Sequence, residues 1–249
     1  MSTAKSGPSF LRRLGIDPAI AQWIGNRDEQ QDAAHIVSAA NGVLAMVADG
    51  MGGMDGGRLA AHAALASFRD HFLGGRDVAK TREKQFQSAF TKAEVDVRRA
   101  LLGMDGGCAL TVAYVRRGPE AAVWFSHAGD VAGFLYRPIG KDRVEERVRL
   151  EAHRINRHML ANALTCRVPD VVAETTCGHP LEVGDVIVLA SDGVADEIGG
   201  TSLARAVAAG GSASTMTKRI LDLVKKKPNP KHDNATVLVL RIGERFLQS

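Results

Sequence analysis

Cysteine is scarce in this chain. Its 249 residues include three, Cys108, Cys166 and Cys177, and none falls in a Cys-x-x-Cys pair. That argues against a disulfide framework or a thiolate metal site and fits a reducing compartment, so the expected location is the cytoplasm. The cysteines are read as structural, since none has an evident activating partner. No run approaches the ~18 apolar residues that suggest a membrane span. The opening stretch, MSTAKSGPSFLRRLGIDPAI, lacks the continuous apolar core of a secretory signal. Strong charge of either sign is also missing: 32 Lys and Arg face 28 Asp and Glu, for a net charge of +4. The one tight basic run, Lys225-Lys226-Lys227, precedes Pro228 and carries no interleaved aromatics. It reads as the solvated last turn of a helix, and no nucleic-acid partner is expected. There is no internal repeat. What remains is 45% hydrophobic and 24% charged, an ordinary globular composition, in a chain long enough for one large core or two small domains.

The pattern along the chain mixes strands and helices. Residues 1–20 are polar and broken by Pro8 and Pro18, and read as a flexible extension. Between Ala33 and Ala48 two apolar runs flank Asn41-Gly42, a strong hairpin signal. A glycine-rich stretch, 50–57, leads into a helix from Leu59. A second helix is predicted over about 80–102, where Phe86, Phe90, Ala93 and Val97 recur at helical spacing. Strands are predicted at 109–115, 121–127, 131–136 and 143–150, then at 185–190 and 235–242. Helices are predicted at about 202–209 and 214–227. Residues 151–180 show weak periodicity and read as irregular. Strands and long helices without regular βαβ alternation favour an α+β sandwich over a doubly wound sheet.

Four aspartates stand at edges of the apolar runs: Asp49 in VLAMVADGMGG, Asp130 in FSHAGDVAG, Asp192 in VIVLASDGV and Asp233 in HDNATVLVL. An Asp beside a small residue is, taken singly, most often a turn. Four such residues, each tied to a β run, would share one end of a β core. Carboxylate oxygens suit hard divalent cations such as Mg2+ and Mn2+. The glycine after Asp49 lets backbone approach closely enough to offer a carbonyl. Arg27, five residues before Asp32, would add bidentate capture of a phosphate beside such a metal pair. Histidines 62 and 71 fall on the first helix and read as surface or core-edge residues. His127 reads as a strand histidine whose face is undecided.

These residues, in this order, resemble the metal-dependent protein phosphatases, the type 2C (PPM) serine/threonine phosphatases, in their bacterial form. The resemblance covers roughly 22–242. It rests on Arg27 with Gln30-Gln31-Asp32, on Asp49-Gly50-Met51-Gly52-Gly53 and the later Gly57, and on Gly107-Cys108-Ala109. It continues through Gly129-Asp130-Val131-Ala132 and Ser191-Asp192-Gly193 to Asp233-Asn234. It implies an α+β fold, a central β-sandwich of two antiparallel sheets flanked by helices on both faces. One phosphatase domain over 21–245 would carry a variable flap around 140–180. It implies two ions, Mn2+ or Mg2+. Asp49 would bridge them, the Gly50 carbonyl would complete one sphere, and Asp192 and Asp233 would hold the other. Asp32 would orient a metal-bound water, Asp130 with Asp192 could hold a third, weaker ion, and Arg27 would bind the substrate phosphate. The reaction implied is hydrolysis of phosphoserine and phosphothreonine by metal-activated water, with no phosphoenzyme. Partners implied are phosphoproteins and a cognate serine/threonine kinase, and the chain is expected to act as a monomer.

The chain departs from the family at four places. Gln31 stands where a Glu is usual, Val131-Ala132 replace Ser-Arg, Met51 replaces the His of eukaryotic members, and Arg58 replaces a frequent Glu. Two alternatives stay open: a non-catalytic regulator with this fold, and a phosphatase restricted to one phosphorylated regulatory protein. Loss of Asp49, Asp192 or Asp233 would favour the first, and all three are present.

Overall fold

The computed structural model describes residues 7–52, 55–74, 81–156, 159–165 and 170–248. In chain order the elements are α1 (Pro8–Arg13), β1 (Ile16–Trp23), β2 (Ala33–Ala39), β3 (Gly42–Met51), α2 (Gly56–Gly74), α3 (Arg82–Leu101), β4 (Gly107–Arg116), β5 (Ala122–Ala128), β6 (Ala132–Gly140) and β7 (Arg143–Arg149). Five short strands follow: β8 (Arg154–Asn156), β9 (Met159–Leu160), β10 (Leu164–Thr165), β11 (Glu174–Thr175) and β12 (His179–Pro180). The chain then runs through β13 (Val186–Ala190), α4 (Asp192–Ala208), α5 (Ala213–Lys225), β14 (Ala235–Ile242) and α6 (Glu244–Gln248).

Strand alternation builds four layers. In β3, Val43, Ala45 and Val47 face Leu238, Leu240 and Leu189 of the opposite sheet. Leu44, Met46 and Ala48, on the other face of the same strand, pack under α2 and α3 against Ala64, Phe68 and Phe90. The second sheet repeats the device, with Val188 and Val237 turned outward onto Ile198, Met216 and Ile220 of α4 and α5. Successive strand side chains point to opposite faces, so a strand buried on both sides reads as a continuous apolar run. One sheet is ordered β1-β14-β13-β6-β7 and the other β11-β5-β4-β3-β2, with β10 beside β4 and β12 beside β5. Neighbouring strands in both sheets pair antiparallel. The expected α+β sandwich of two antiparallel sheets flanked by helices is the observed architecture.

The chain start corrects one expectation. Within the stretch read as a flexible extension, residues 8–13 form a helix and Ile16–Trp23 pair along the whole length of β14. Residues 1–6 of that stretch lie outside the described residues. Pro18 suggested disorder because it cannot donate to a ladder. β1 is an edge strand, where proline is tolerated. The hairpin at Asn41-Gly42 is present with its turn one residue earlier. Ala39 pairs with Gly42, leaving Ala40 and Asn41 as the loop. Gly42 belongs to the strand, and a Cβ there would lie 2.0 Å from the Val115 carbonyl oxygen. Helix α4 starts at Asp192, ten residues before the predicted helix, and breaks its geometry at Gly199. Lys225 ends α5, as the basic run suggested, and its ammonium lies over the Trp23 ring.

Candidate metal centre

Antiparallel pairing carries the acidic strand edges to one end of the sandwich. Asp32 directly precedes β2, whose first residue Ala33 pairs with Ala48, next to Asp49. In the other sheet Ala190 pairs with both Ala132 and Val237. The residues just beyond those strand ends, Asp130, Asp192 and Asp233, are thereby neighbours. The two sheets bring the groups face to face, and Asp49 and Asp192 share a side-chain hydrogen bond.

The electrostatics are those of like charges held together. Burial, then the nearby Asp192 and Asp233, push the Asp32 carboxyl up to about 7 despite hydrogen bonds from Thr236 and Ser191. Burial, followed by the charge of Asp130, raises Asp192 to about 6. Asp49 is raised well above the usual carboxylate range by burial and by Asp32, Asp192 and Asp130. Five acids crowded without histidine or thiolate among them suit hard divalent cations, which relieve the repulsion. Cys108 lies close by, but burial and Asp49 raise its thiol, which keeps it protonated and out of a ligand role.

Several side chains fix this geometry. The Asn234 amide donates to the carbonyls of Ile24 and Glu29 and accepts from the backbone N–H of Gln31. One buried side chain therefore clamps the 24–31 loop, with Arg27, to the start of β14. Ser191 donates to Asp32 Oδ2 at 2.8 Å and accepts from the Thr236 backbone at 2.9 Å, tying α4, β2 and β14 together. Gly50 runs so near its neighbours that a Cβ would lie 2.4 Å from the Gly57 carbonyl oxygen and 2.6 Å from that of Gln31. That explains the glycine beside Asp49 as a close approach of three backbones.

Arg27 reaches the centre at its rim. Its side chain is 57% exposed and its Nη2 sits 2.5 Å from Asp233 Oδ2. The Gln31 amide donates to Glu29 Oε1 and to the Gly52 carbonyl. Arg58 pairs with Asp55 at 2.6 Å and approaches Glu29 at 3.6 Å. Asp130 has a partner the sequence reading lacked. Arg154 of β8 donates to it through Nε and pairs with it through Nη2, both at 2.7 Å, and donates to Asp196 through Nη1 at 2.7 Å. Asp196 was also missed. Its signal was its place one helical turn after Asp192, once α4 is known to start there. For Arg154 there was no signal, because it lies 24 residues from Asp130 in a stretch without periodicity.

A second group, His127, His153 and Glu174, places its ligand atoms within 4.8 Å of one another. The two rings stack with centroids 4.2 Å apart and planes 22° apart. His127 Nε2 already bonds the Glu151 carbonyl, while His153 uses Nδ1 for the Gly129 N–H and Nε2 for Glu174, so the group reads as a packed support.

Fold and site together define a two-sheet α+β sandwich with an acid-lined centre at one end. The sequence model of the protein phosphatase 2C family matches residues 22–227. The chain belongs to the protein phosphatase 2C family. Its fold is similar to that of the PPM Ser-Thr phosphatase MsPP from Mycobacterium smegmatis, at 22% identity and TM-score 0.72, covering 91% of this chain and 98% of that one. It is also similar to the serine/threonine phosphatase PstP from Mycobacterium tuberculosis, at 19% identity and TM-score 0.73, over 92% and 99% of the two chains. PppA from Pseudomonas aeruginosa matches at 20% identity and TM-score 0.69, over 91% and 97%. None of the curated proteins compared with the chain matches it. Among the described residues no helix is long and apolar enough to cross a membrane.

Proposed function

We propose that this protein phosphatase 2C family member hydrolyses phosphoserine and phosphothreonine in proteins, using two divalent ions held by its clustered aspartates. The observation that carries the reading is the convergence of Asp32, Asp49, Asp192 and Asp233 at one end of the sandwich, with three of those carboxyls raised by burial and mutual repulsion. Asp49 and the Gly50 carbonyl, with Asp192 and Asp233, are the residues that would hold the ions. Bound there, divalent ions supply Lewis-acid charge and a water of lowered pKa. The donor set suits Mn2+ and Mg2+ equally, and one structural relative is a PstP catalytic domain in complex with two manganese ions.

The chain's own groups do the rest. Asp32, held by Ser191, is placed to orient a water at the centre and accept its hydrogen bond. Arg27, on its clamped loop, swings its exposed guanidinium from Asp233 onto the substrate phosphoryl oxygens, whose charge grows in the transition state. Asn234 keeps that loop in place. Water attacks phosphorus directly, and no protein nucleophile is needed. The setting we propose is the cytoplasm, with phosphoproteins as substrates, a serine/threonine kinase as the opposing activity, and a monomer as the working form.

The test is hydrolysis of a phosphothreonine peptide with Mn2+, with Mg2+ and with EDTA. Turnover is expected with either metal and abolished by chelator. Full turnover in protein shown by elemental analysis to be metal-free would overturn the reading.

A further inference from the structure

The family resemblance leaves room for a third, weaker cation at Asp130 and Asp192. The side chains present do not fit one. Asp130 Oδ2 already accepts a hydrogen bond from Arg154 Nε at 2.7 Å and is ion-paired with Nη2 of the same guanidinium at 2.7 Å. The same guanidinium lies 3.7 Å from Asp192 Oδ2 and bonds Asp196 at 2.7 Å. A delocalised cation thus occupies the space between the carboxylates that a third ion would need.

The arrangement is built from the residue before it. The His153 backbone N–H donates to the Gly129 carbonyl at 2.9 Å, and the Gly129 N–H donates back to His153 Nδ1 at 3.3 Å. Asn162 also donates to that ring nitrogen, and the Ala161 N–H donates to the His153 carbonyl. The ring itself stacks on buried His127. So β8 is pinned beside Asp130 on both its backbone and its side chain, and Arg154 follows directly. The side chain is only 20% exposed, and Asp130 is 10% exposed, so solvent screens the pair weakly. Val131-Ala132, where relatives are expected to carry Ser-Arg, supply no competing cation from the strand.

We infer that Arg154 is a built-in cation that replaces a third metal ion, so that this chain works with two exchangeable ions and a fixed positive charge beside Asp130. Asp130 and Asp196 then serve as positioning residues that hold the guanidinium toward the centre. The inference rests on the two-ion reading above.

Mn2+ stoichiometry, by isothermal titration and by elemental analysis after equilibrium dialysis up to millimolar Mn2+, tests it without reference to turnover. The wild-type chain is expected to bind two ions. Arg154→Ala is expected to bind a third, weaker one that disappears in the Arg154→Ala, Asp130→Asn double variant. Arg154→Lys, which keeps a charge in place, is expected to bind two. Alongside, the Arg154→Ala rate on a phosphopeptide should drop at least tenfold at micromolar Mn2+ and recover in part as the third site fills. Three ions in the wild type, or an unchanged count in Arg154→Ala, would overturn the assignment. A wild-type chain that binds two ions, gains the third in Arg154→Ala, and hydrolyses no phosphopeptide would sink the phosphatase reading and leave the Arg154 assignment standing.

Discussion

Each residue at the centre has a separable duty, so substitutions should separate too. Asp192 and Asp233 are the acids proposed to hold an ion without bridging. Removing an outer-shell partner of a metal ligand typically costs ~10–100-fold. Asp192→Asn and Asp233→Asn should therefore lower kcat by more than ~100-fold at saturating Mn2+, with circular dichroism unchanged. A near wild-type rate in either would remove that residue from the ligand set. Arg27 makes no contribution of that kind. It is over half exposed and touches the centre through one bond. A hydrogen bond to a charged group contributes about 1.5–3 kcal/mol, so Arg27→Ala should raise KM for a phosphopeptide ~10–100-fold with the Mn2+ titration unmoved. Weakened Mn2+ binding with an unchanged KM would contradict the role. The aspartates were legible in the sequence because each stands at the edge of an apolar run, short enough to read as a buried strand. Arg154 was not, because its partners are fixed by tertiary packing and no local pattern marks it.

At the scale of elements, legibility followed burial. β3, β4, β13 and β14 are covered on both faces, and continuous apolar runs announced all four. The edge strand β1 alternates weakly and contains Pro18, so it read as loose chain. The first turns of α4 carry Gly193, Asp196 and Glu197 where a plain amphipathic helix would show apolar periodicity. Their sequence answers to the centre: a Cβ on Gly193 would lie 2.0 Å from the Asn234 carbonyl oxygen. The strands from 154 to 180 are two or three residues long, too short for a period to register. The joint between the 24–31 loop and β14 is the element-scale feature open to test. Asn234 is 4% exposed and makes all three of its bonds across that joint. Asn234→Ala leaves buried backbone groups unpaired, at about 1–3 kcal/mol. Urea denaturation should show a loss of that order, and KM should rise as Arg27 loses its mooring. A stable variant with unchanged KM would show that the loop is held by something else.

At the scale of the molecule, a weakly basic chain, net +4, concentrates acids at one end of its sandwich, and folding must overcome that repulsion. The carboxyls of Asp32 and Asp192 are raised to about 7 and about 6 from 3.8, and Asp49 is raised with them. With raised values, the folded chain binds more protons than the unfolded chain between about pH 4 and pH 7. The slope of stability with pH follows the protons bound unfolded minus those bound folded, so this contribution is negative. The stabilising protonation is complete below pH 3.8 and is lost as pH rises through 6 to 7. A divalent ion binds the deprotonated acids and competes with those protons, and it stabilises whatever state it binds. The rise in Tm on replacing EDTA with Mn2+ should therefore be larger at pH 7.5 than at pH 5.5. Differential scanning fluorimetry at the two pH values decides it. An equal or smaller rise at pH 7.5 would mean that the raised acids are not the groups that take up the metal.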